Sequence, residues 1–511
     1  MIKKFLYVGL IGLLTGCSDF LEPKSQSEFI PKDIVSLNEM LLGVAYPQGT
    51  GGGKEIMSIM PLFEDDICCT DSLGTVGLNQ MTSSKIINAL FSWQPDAFKV
   101  MYDNGSYVNE WRNYYEFIVG ANAALDYLDD VSGSKDEKNL VKGQACALRA
   151  FYYFQLVNLW GEPYNYNKKA LGVPLKTTSA LEYKELPRNT VEEVYEQIMR
   201  DLNDAEKCYE ALPENLQFKK DYRVSLPMIQ LLKSRVFLYM ENWTEAAIYA
   251  KKVIEDWEFA LLDFNSLPAP TLDKPYYNFI TMDSPECIWV FGEIKKDIGF
   301  IDEIVERADP YDPSKMISVC KLNAAPELLE AYMEGDLRKE NYIVRNLLQN
   351  SRGKYSLGGY CAFGKFAISS LHSADNENGF AHAFRVAEAY LNLAEAAAKD
   401  NDETTALWAL NELRMKRFTP EFYKEVSGIS GEELVDRIRL ERRLEMCFEG
   451  HRWFDLRRYG MPSFTRAWKD NGQVVKYYTL EKNDPFYTLP IPYEVMQENR
   501  NLVQNELPNP R

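Results

Sequence analysis

The chain has 511 residues, of which 46% are hydrophobic and 13% aromatic, and its formal net charge at pH 7 is −18. This length and composition suffice for one large globular core or for two fused halves. The acidic charge repels phosphate backbones and anionic lipid headgroups, which excludes nucleic acid as a partner.

The first residues have the pattern of a secretory signal peptide that ends at a cysteine. An apolar run, residues 5–14, follows two lysines and precedes Thr15, Gly16 and Cys17. The run is shorter than the roughly 20 residues that a membrane-spanning helix needs, and no later segment approaches that length. The site resembles the bacterial lipobox, which implies cleavage after residue 16 and acylation of Cys17. The alternative is an ordinary cysteine in a signal of another kind.

The remaining cysteines and the three histidines show no spacing typical of a metal site. Cys146, Cys208 and Cys447 lie in helical patterns, where a buried thiol acts as a small hydrophobe. Cys68 and Cys69 are adjacent and are predicted to lie in a loop. We therefore predict no metal and no cofactor. The disulfide state stays open for Cys68, Cys69, Cys320 and Cys361.

The chain begins with predicted non-helical segments and one helix. We expect a tether over residues 17–35 and a first helix near 36–45, with a glycine-rich break at 51–53. Residues 61–104 lack clear periodicity and mix carboxylates with aromatic residues. This last segment is predicted to be loop.

Helical periodicity dominates the following residues. Apolar side chains recur at three and four residues over 111–128 and 140–157, which predicts two antiparallel helices. Thr190 and Glu193 have the spacing of a capping box and predict the start of a third helix. Further helices are predicted near 229–239, 246–253, 390–397 and 406–413.

A weak internal repeat accompanies these helices. Asn242 stands five and eight residues before two alanines, and Asn401 precedes Ala406 and Ala409 by the same intervals. Small residues let paired helices approach closely, as in tetratricopeptide units. Between the two blocks, residues 261–379 are predicted to form loops and short strands, including a strand at 287–291. The predicted fold is mainly α, with tetratricopeptide-like helix pairs, long irregular loops and a few short strands.

The segment 441–458 holds the densest cluster of charged residues. Glu441 and Glu445 share a helical stripe with apolar residues, so their carboxylates face packed surface and need partners. We predict a structural ion network of Glu441, Glu445, Arg442 and Arg452, with Arg457 and Arg458 as further partners. The alternative is an acid/base pair like that of a glycosidase, but neighbouring arginines would keep both carboxylates ionised.

No other catalytic arrangement is visible. The chain lacks HExxH, a glycine-rich phosphate loop and a GxSxG elbow, so we predict a protein that is not an enzyme. A helical glycoside hydrolase or lyase remains an alternative, because the carboxylates of such enzymes have no fixed spacing. A helical-repeat scaffold that binds only proteins is another.

Several stretches together resemble the SusD/RagB family. They are the predicted lipobox, the helix pairs, and residues 149–153, 159–163, 387–396, 441–459 and 489–492, the last followed by Asn499 and Asn505. The resemblance covers nearly all of the mature chain. It implies an N-terminal helical region with ligand loops over 36–260, and a C-terminal region over 261–511 packed on the same body.

The resemblance also implies a function. Such proteins are surface-exposed, lipid-anchored outer-membrane lipoproteins that bind oligosaccharides, or in some members peptides, without catalysis. They deliver this ligand to a SusC-like TonB-dependent barrel transporter in nutrient uptake.

Family ligand residues lie in variable loops, so the candidates here come from chemistry. A sugar needs an exposed aromatic face flanked by hydrogen-bonding side chains, a mixture found in residues 65–104 and 276–311. The predicted platforms are Trp93, Tyr102, Tyr276, Tyr277 and Tyr311, with Asp71 and Asn104 as hydrogen-bonding neighbours.

Overall fold

The computed structural model describes residues 30–47, 54–70, 78–106, 108–181, 185–268, 277, 279–292, 304–309, 312–343, 345–349, 355–360, 365, 380–470 and 472–511. The helices are α1 (Ile34–Val44), α2 (Leu78–Phe91), α3 (Ala97–Asp103), α4 (Glu110–Asp126), α5 (Lys135–Trp160), α6 (Tyr164–Asn167), α7 (Val191–Glu210), α8 (Glu214–Gln217), α9 (Leu226–Tyr239), α10 (Trp243–Glu255), α11 (Pro326–Ala331), α12 (Leu337–Tyr342), α13 (Val386–Lys399), α14 (Glu403–Met415), α15 (Gly431–Met446), α16 (Arg452–Arg458) and α17 (Tyr493–Glu498). The strands are β1 (Ile67–Cys69), β2 (Cys287–Phe291), β3 (Ile304–Asp309), β4 (Asp312–Cys320), β5 (Leu322–Ala324), β6 (Arg345–Gln349), β7 (Tyr355–Tyr360), β8 (His382–Arg385), β9 (Phe464–Asp470) and β10 (Gln473–Leu480).

The long helices form an array in which most pack against the next one along the chain. The contacts run from α1 to α4, α5, α7, α9, α10 and α13, and α13 then packs on both α14 and α15. Small residues permit the close approaches. A Cβ at Gly120 in α4 would lie 2.6 Å from the carbonyl oxygen of Val44, so a larger residue there would push α1 away. The predicted mainly α fold with packed helix pairs is confirmed.

Local capping signals fix where several helices begin. The Thr190 side chain accepts a hydrogen bond from the Glu193 amide, and the Glu193 carboxylate accepts one from the Thr190 amide. The capping box predicted there is therefore confirmed. Ser134 and Glu137 form the same reciprocal pair at the start of α5. These bonds satisfy amides that the first turn of a helix leaves unpaired.

The internal repeat exists, but its predicted alignment is wrong by one residue. Asn242 caps α10, and the residue with the same role before α14 is Asp402 rather than Asn401. Asn401 corresponds instead to Glu241, because both have left-handed backbone, with φ of 62° and 58°. The two helices share a residue with left-handed backbone followed by a capping side chain. Matching the alanines of the two segments does not detect this feature.

Residues 61–104 are not the loop that their composition predicts. They contain β1, α2 and α3, and Cys68 and Cys69 lie in β1, opposite Asn323 and Leu322 of β5. Ile87 and Leu90 of α2 are fully buried. The short elements are stabilised by packing on the core, since helices of this length are marginal alone.

The small sheets are antiparallel pairs on the helical frame. The strand predicted at 287–291 is confirmed as β2, which pairs with β8. β9 and β10 form a hairpin near the C-terminus. The largest apolar core extends in sequence from Ile34 to Leu502, so one core contains residues of both predicted regions.

Glu110, the first residue of α4, holds the segment before β1 in place. Its carboxylate accepts hydrogen bonds from the amides of Ser58 and Ile59 at 2.7 and 3.0 Å. Burial raises the pKa of Glu110 to about 7, although these bonds to the ionised form oppose the rise.

This raised pKa predicts a stability that falls as pH rises. The protonated folded form is favoured below the unfolded pKa of about 4.3, and that contribution is lost as pH rises through 7. Glu110→Gln keeps an acceptor oxygen but does not titrate. Between pH 5 and 8 the free energy of unfolding of the unmodified chain should therefore fall, relative to the variant, by on the order of 3 kcal/mol. Urea titrations measure this difference, with Glu116→Gln on the surface as control. Parallel pH profiles for Glu110→Gln and the parent would contradict it.

Candidate functional site

A buried network of charged side chains surrounds Glu445 of α15. Arg417 donates to both Glu445 carboxylate oxygens at 2.9 Å, and Arg385 donates to Oε1 at 3.1 Å. The hydroxyl of Tyr342 donates to the same oxygen at 2.9 Å. We call the following set the Glu445 network: Glu286, Asp336, Arg338, Tyr342, Lys365, Arg385, Arg414, Arg417, Glu441, Glu445 and Glu449.

The network joins separate parts of the fold. Glu441, one turn before Glu445, is paired with Arg338 of α12 at 2.5 Å and Arg414 of α14 at 2.6 Å. Arg385 of β8 bridges from Glu445 to Glu286 at 2.6 Å. Three helices (α12, α14 and α15), the strand β8 and the segment before β2 are therefore held together through buried ion pairs.

The electrostatics do not suit an acid/base pair. Burial alone would raise the pKa of Glu445, but the charges of Arg417 and Arg385 outweigh it and hold this pKa well below its usual range. The pKa of Glu441 is also lowered, because Arg338 and Arg414 outweigh its burial. A glycosidase acid needs a raised pKa, which neither carboxyl has.

The arginine partners predicted from sequence proximity are wrong. Arg442 donates to Asp455 at 2.9 Å, and Arg452 donates to Asp65 at 2.7 and 2.8 Å. Arg458 forms a bidentate pair with Glu395. Arg457 donates to the carbonyl oxygens of Asn158 and Gly161. The carboxylates of Glu441 and Glu445 meet arginines from other elements, because Arg442 is held by Asp455 and the other three arginines lie in α16, beyond the end of α15.

Trp93 is wrong as an exposed platform, because its side chain lies in the core. Its exposed fraction is 0%, and its Nε1 donates to the carbonyl oxygen of Phe63 at 3.0 Å. The ring packs edge-on against Phe464, with centroids 5.2 Å apart. A ligand therefore has no access to either face of this indole.

Tyr102, by contrast, lies on the surface at the end of α3. Its side chain is 53% exposed, and its ring centroid lies 5.6 Å from that of Tyr493 in α17. The ammonium of Lys99 lies 5.3 Å from the Tyr493 ring centroid and pairs with Asp103. Asn104 follows α3, and its Nδ2 donates to Val100. We call Lys99, Tyr102, Asp103, Asn104 and Tyr493 the Tyr102 surface.

Tyr277 is the one other predicted platform among the described residues. It is half-buried, and its ring lies 4.8 Å from that of Phe279, so only part of it is open to a ligand. Cys17, Asp71, Tyr276 and Tyr311 lie outside the described residues.

An apolar groove that the sequence analysis missed lies beside the other end of α17. It has a volume of about 340 Å³ and is lined by Trp111, Tyr115, Leu181 and Glu498, among others. Tyr493 and Glu498 thus place α17 at both the Tyr102 surface and the groove. The sequence does not mark this groove. Its sign is Leu181, a leucine that is 89% exposed, and that exposure is known only from the structure.

In the part of the chain that the structure describes, no helix combines the length and apolar character needed to cross a bilayer. The same residues contain no group of three or more His, Cys, Asp or Glu side chains arranged to hold a metal ion.

The architecture defines a mainly α-helical protein in which an array of helix pairs supports small antiparallel sheets and loops. Residues 272–508 match the model of the SusD family, and residues 19–226 match a second model described as "Starch-binding associating with outer membrane". Together the matches span most of the chain. The chain belongs to the SusD/RagB family.

Individual proteins and solved structures that carry the SusD name are also similar to this chain. SusD-like protein P38 of Formosa agariphila is 26% identical over 385 residues, which are 68% of this chain and 71% of that protein. Starch-binding protein SusD of Bacteroides thetaiotaomicron is 34% identical over 129 residues, which are 24% of this chain and 20% of that protein. A SusD superfamily structure from Bacteroides fragilis has a TM-score of 0.67 at 19% identity, over 93% of this chain and 100% of that chain. A SusD-like carbohydrate binding protein from Bacteroides vulgatus has a TM-score of 0.63 at 20% identity, over 92% and 98%.

Proposed function

We propose that this protein binds oligosaccharides at the cell surface, without catalysis, and delivers them to a SusC-like TonB-dependent outer-membrane transporter. Family membership carries the proposal. One relative is named a starch-binding protein, and one structural neighbour is described as a carbohydrate binding protein. The ionised carboxylates of the Glu445 network further support binding over acid/base hydrolysis.

We place one ligand contact at the Tyr102 surface. The Tyr102 ring offers an apolar face for the CH groups of a pyranose, and Asp103 and Asn104 supply acceptors for hydroxyl groups at its rim. Tyr493 limits the motion of the Tyr102 ring, which lowers the entropic cost of binding. Asp71, Tyr276, Tyr277 and Tyr311 remain further candidates for the same ligand.

We also propose that the protein is held at the outer membrane by lipid on Cys17 and faces outward. The family model over residues 19–226 is described by association with the outer membrane, which supports this location. The resemblance of the residues up to Cys17 to a lipobox supports lipid attachment at this cysteine.

Tyr102→Ala should weaken glycan binding about 2- to 12-fold, because an aromatic contact contributes about 0.5–1.5 kcal/mol beyond the area it buries. The measurement is a titration of the chain from Ser18 onward against a glycan panel and a peptide library, with product analysis of each mixture. Tyr477→Ala is the matched control, since Tyr477 is 67% exposed on β10.

The same titration separates the alternatives. Released reducing ends would contradict the non-catalytic proposal and favour a hydrolase or lyase. Binding of peptides with no glycan hit would replace the ligand by a peptide. Unchanged glycan affinity in Tyr102→Ala would remove the Tyr102 surface from the site.

A further inference from the structure

A polar cavity lies between α6, the segment before α7, and the C-terminal residues. Its volume is about 580 Å³, within the range of small-molecule sites. Tyr166 of α6 lies at its wall with 59% of the side chain exposed, next to Leu171, which is 40% exposed. The cavity shares no lining residue with the Tyr102 surface or with the apolar groove.

The walls of this cavity are fixed by internal hydrogen bonds. Arg188 donates to four carbonyl oxygens, those of Trp160, Leu171, Gly172 and Val503, at 2.6 to 2.9 Å. Its guanidinium is therefore committed to the protein and is not free to bind an anion. The C-terminal wall is tied in by Asn505, whose Nδ2 donates to Trp160 and Leu489.

Two residues of the cavity wall have left-handed backbone. Met461 and Asn483 line the cavity, and both have left-handed backbone, with φ of 52° and 56°. The Asn483 amide donates to the Met461 carbonyl oxygen at 3.0 Å, which holds the two strained residues together. Such backbone costs of order 1 kcal/mol or more in residues other than glycine, and it occurs preferentially at ligand sites.

The uncommitted side chains in the cavity are acidic and amide groups. Glu162 and Glu506 form no hydrogen bond or ion pair with any described residue. The third carboxylate, Asp484, is paired with Arg511. Asn167 and Asn483 also keep their side-chain amides free of described partners and can bind hydroxyl groups. The carboxylates free to accept hydrogen bonds are therefore negative, and Arg188 keeps its positive charge but uses its donors on carbonyl oxygens.

We infer that this cavity is a second ligand site, for a saccharide unit that carries a free amino group. The Tyr166 ring packs on the apolar face of the pyranose, the amides of Asn167 and Asn483 bind its hydroxyls, and Glu162 and Glu506 pair with the ammonium. A charge-assisted bond to an ammonium contributes more than a neutral hydrogen bond. An acidic or acetylated sugar lacks that contribution.

The test is calorimetric titration of the full chain, purified in detergent, with the β1,4-linked disaccharide of glucosamine. The comparison ligand is the same disaccharide with both amines acetylated. At about pH 6, below the pKa of an α-amino group, the free amines are protonated. We expect the free-amine disaccharide to bind at least tenfold more tightly than the acetylated one. Equal affinities, or no binding of the free-amine form, would overturn the proposal.

Variants locate the site. Tyr166→Ala and Glu162→Gln should each weaken binding of the free-amine disaccharide about tenfold, and Glu162→Gln/Glu506→Gln should remove the preference for the free amine. Tyr477→Ala and Glu403→Gln are matched surface controls. Tyr102→Ala should leave the preference for the free-amine over the acetylated disaccharide unchanged, which separates the cavity from the proposed glycan surface. Loss in Tyr102→Ala with none in Tyr166→Ala would place the sugar at the Tyr102 surface and overturn the cavity site.

Discussion

Glu445→Ala is expected to lower the free energy of unfolding by about 3–5 kcal/mol, because Arg417 and Arg385 lose one of the carboxylates that compensate their buried charges. Both arginines are at most 3% exposed, so water cannot replace the lost partner. The loss is large beside the total stability of a typical domain, about 5–15 kcal/mol. Yield should fall with it.

Chemical denaturation of the parent and the variant measures the effect. Glu432→Ala is the matched control on the same helix, since Glu432 is 76% exposed and its pair with Lys399 should contribute less than about 1 kcal/mol. Glu445→Gln retains an acceptor for Tyr342 but not the charge, and it provides a second measurement if the alanine variant does not fold. A Glu445→Gln protein as stable as the control, with altered product formation, would show that the network is not structural.

The sign of the pH dependence follows from the same contacts. The pKa of Glu445 is held below its usual range in the folded state, so its contribution to stability is present above the unfolded pKa of about 4.3. That contribution is lost as pH falls through the folded pKa. Acid should therefore destabilise the parent more than Glu445→Gln, opposite to the direction expected for Glu110.

The helical frame could be predicted from the sequence because its signals are local. Apolar residues at intervals of three and four specify α4 and α5, and Thr190 with Glu193 specifies the start of α7. By contrast, the 14 residues of α2 and the seven of α3 carry no comparable apolar pattern, because these helices are stabilised by packing against distant residues. The repeat was detected, but its alignment required the backbone conformation of Glu241 and Asn401.

The site was less accessible to prediction because exposure depends on distant parts of the chain. Trp93 and Tyr102 lie in the same predicted loop, yet Phe63 and Phe464 contact the buried Trp93, while Tyr102 remains on the surface. The partners of the buried charges also depend on distant parts of the chain. The burial of Glu445 could be predicted from its helical stripe, but its partners Arg385 and Arg417 come from other elements.

Cys17→Ala is expected to remove the protein from the outer surface almost completely. Two acyl signals hold a protein stably at a membrane, whereas one is marginal, so loss of the acylated cysteine should remove the anchor as a whole. A retained signal segment could still hold some variant at the inner membrane. The measurement therefore combines separation of inner and outer membranes with protease treatment of intact cells.

Cys68→Ala is the matched control, because it removes a half-buried thiol of β1 and leaves Cys17 in place. That variant should remain in the outer membrane and be cleaved by external protease like the parent. Cys17→Ala should instead be protected from external protease or be released in soluble form. If Cys17→Ala stayed in the outer membrane and were still cleaved from outside, the anchor would have to lie elsewhere, and the lipoprotein proposal would fail even if glycan binding were intact.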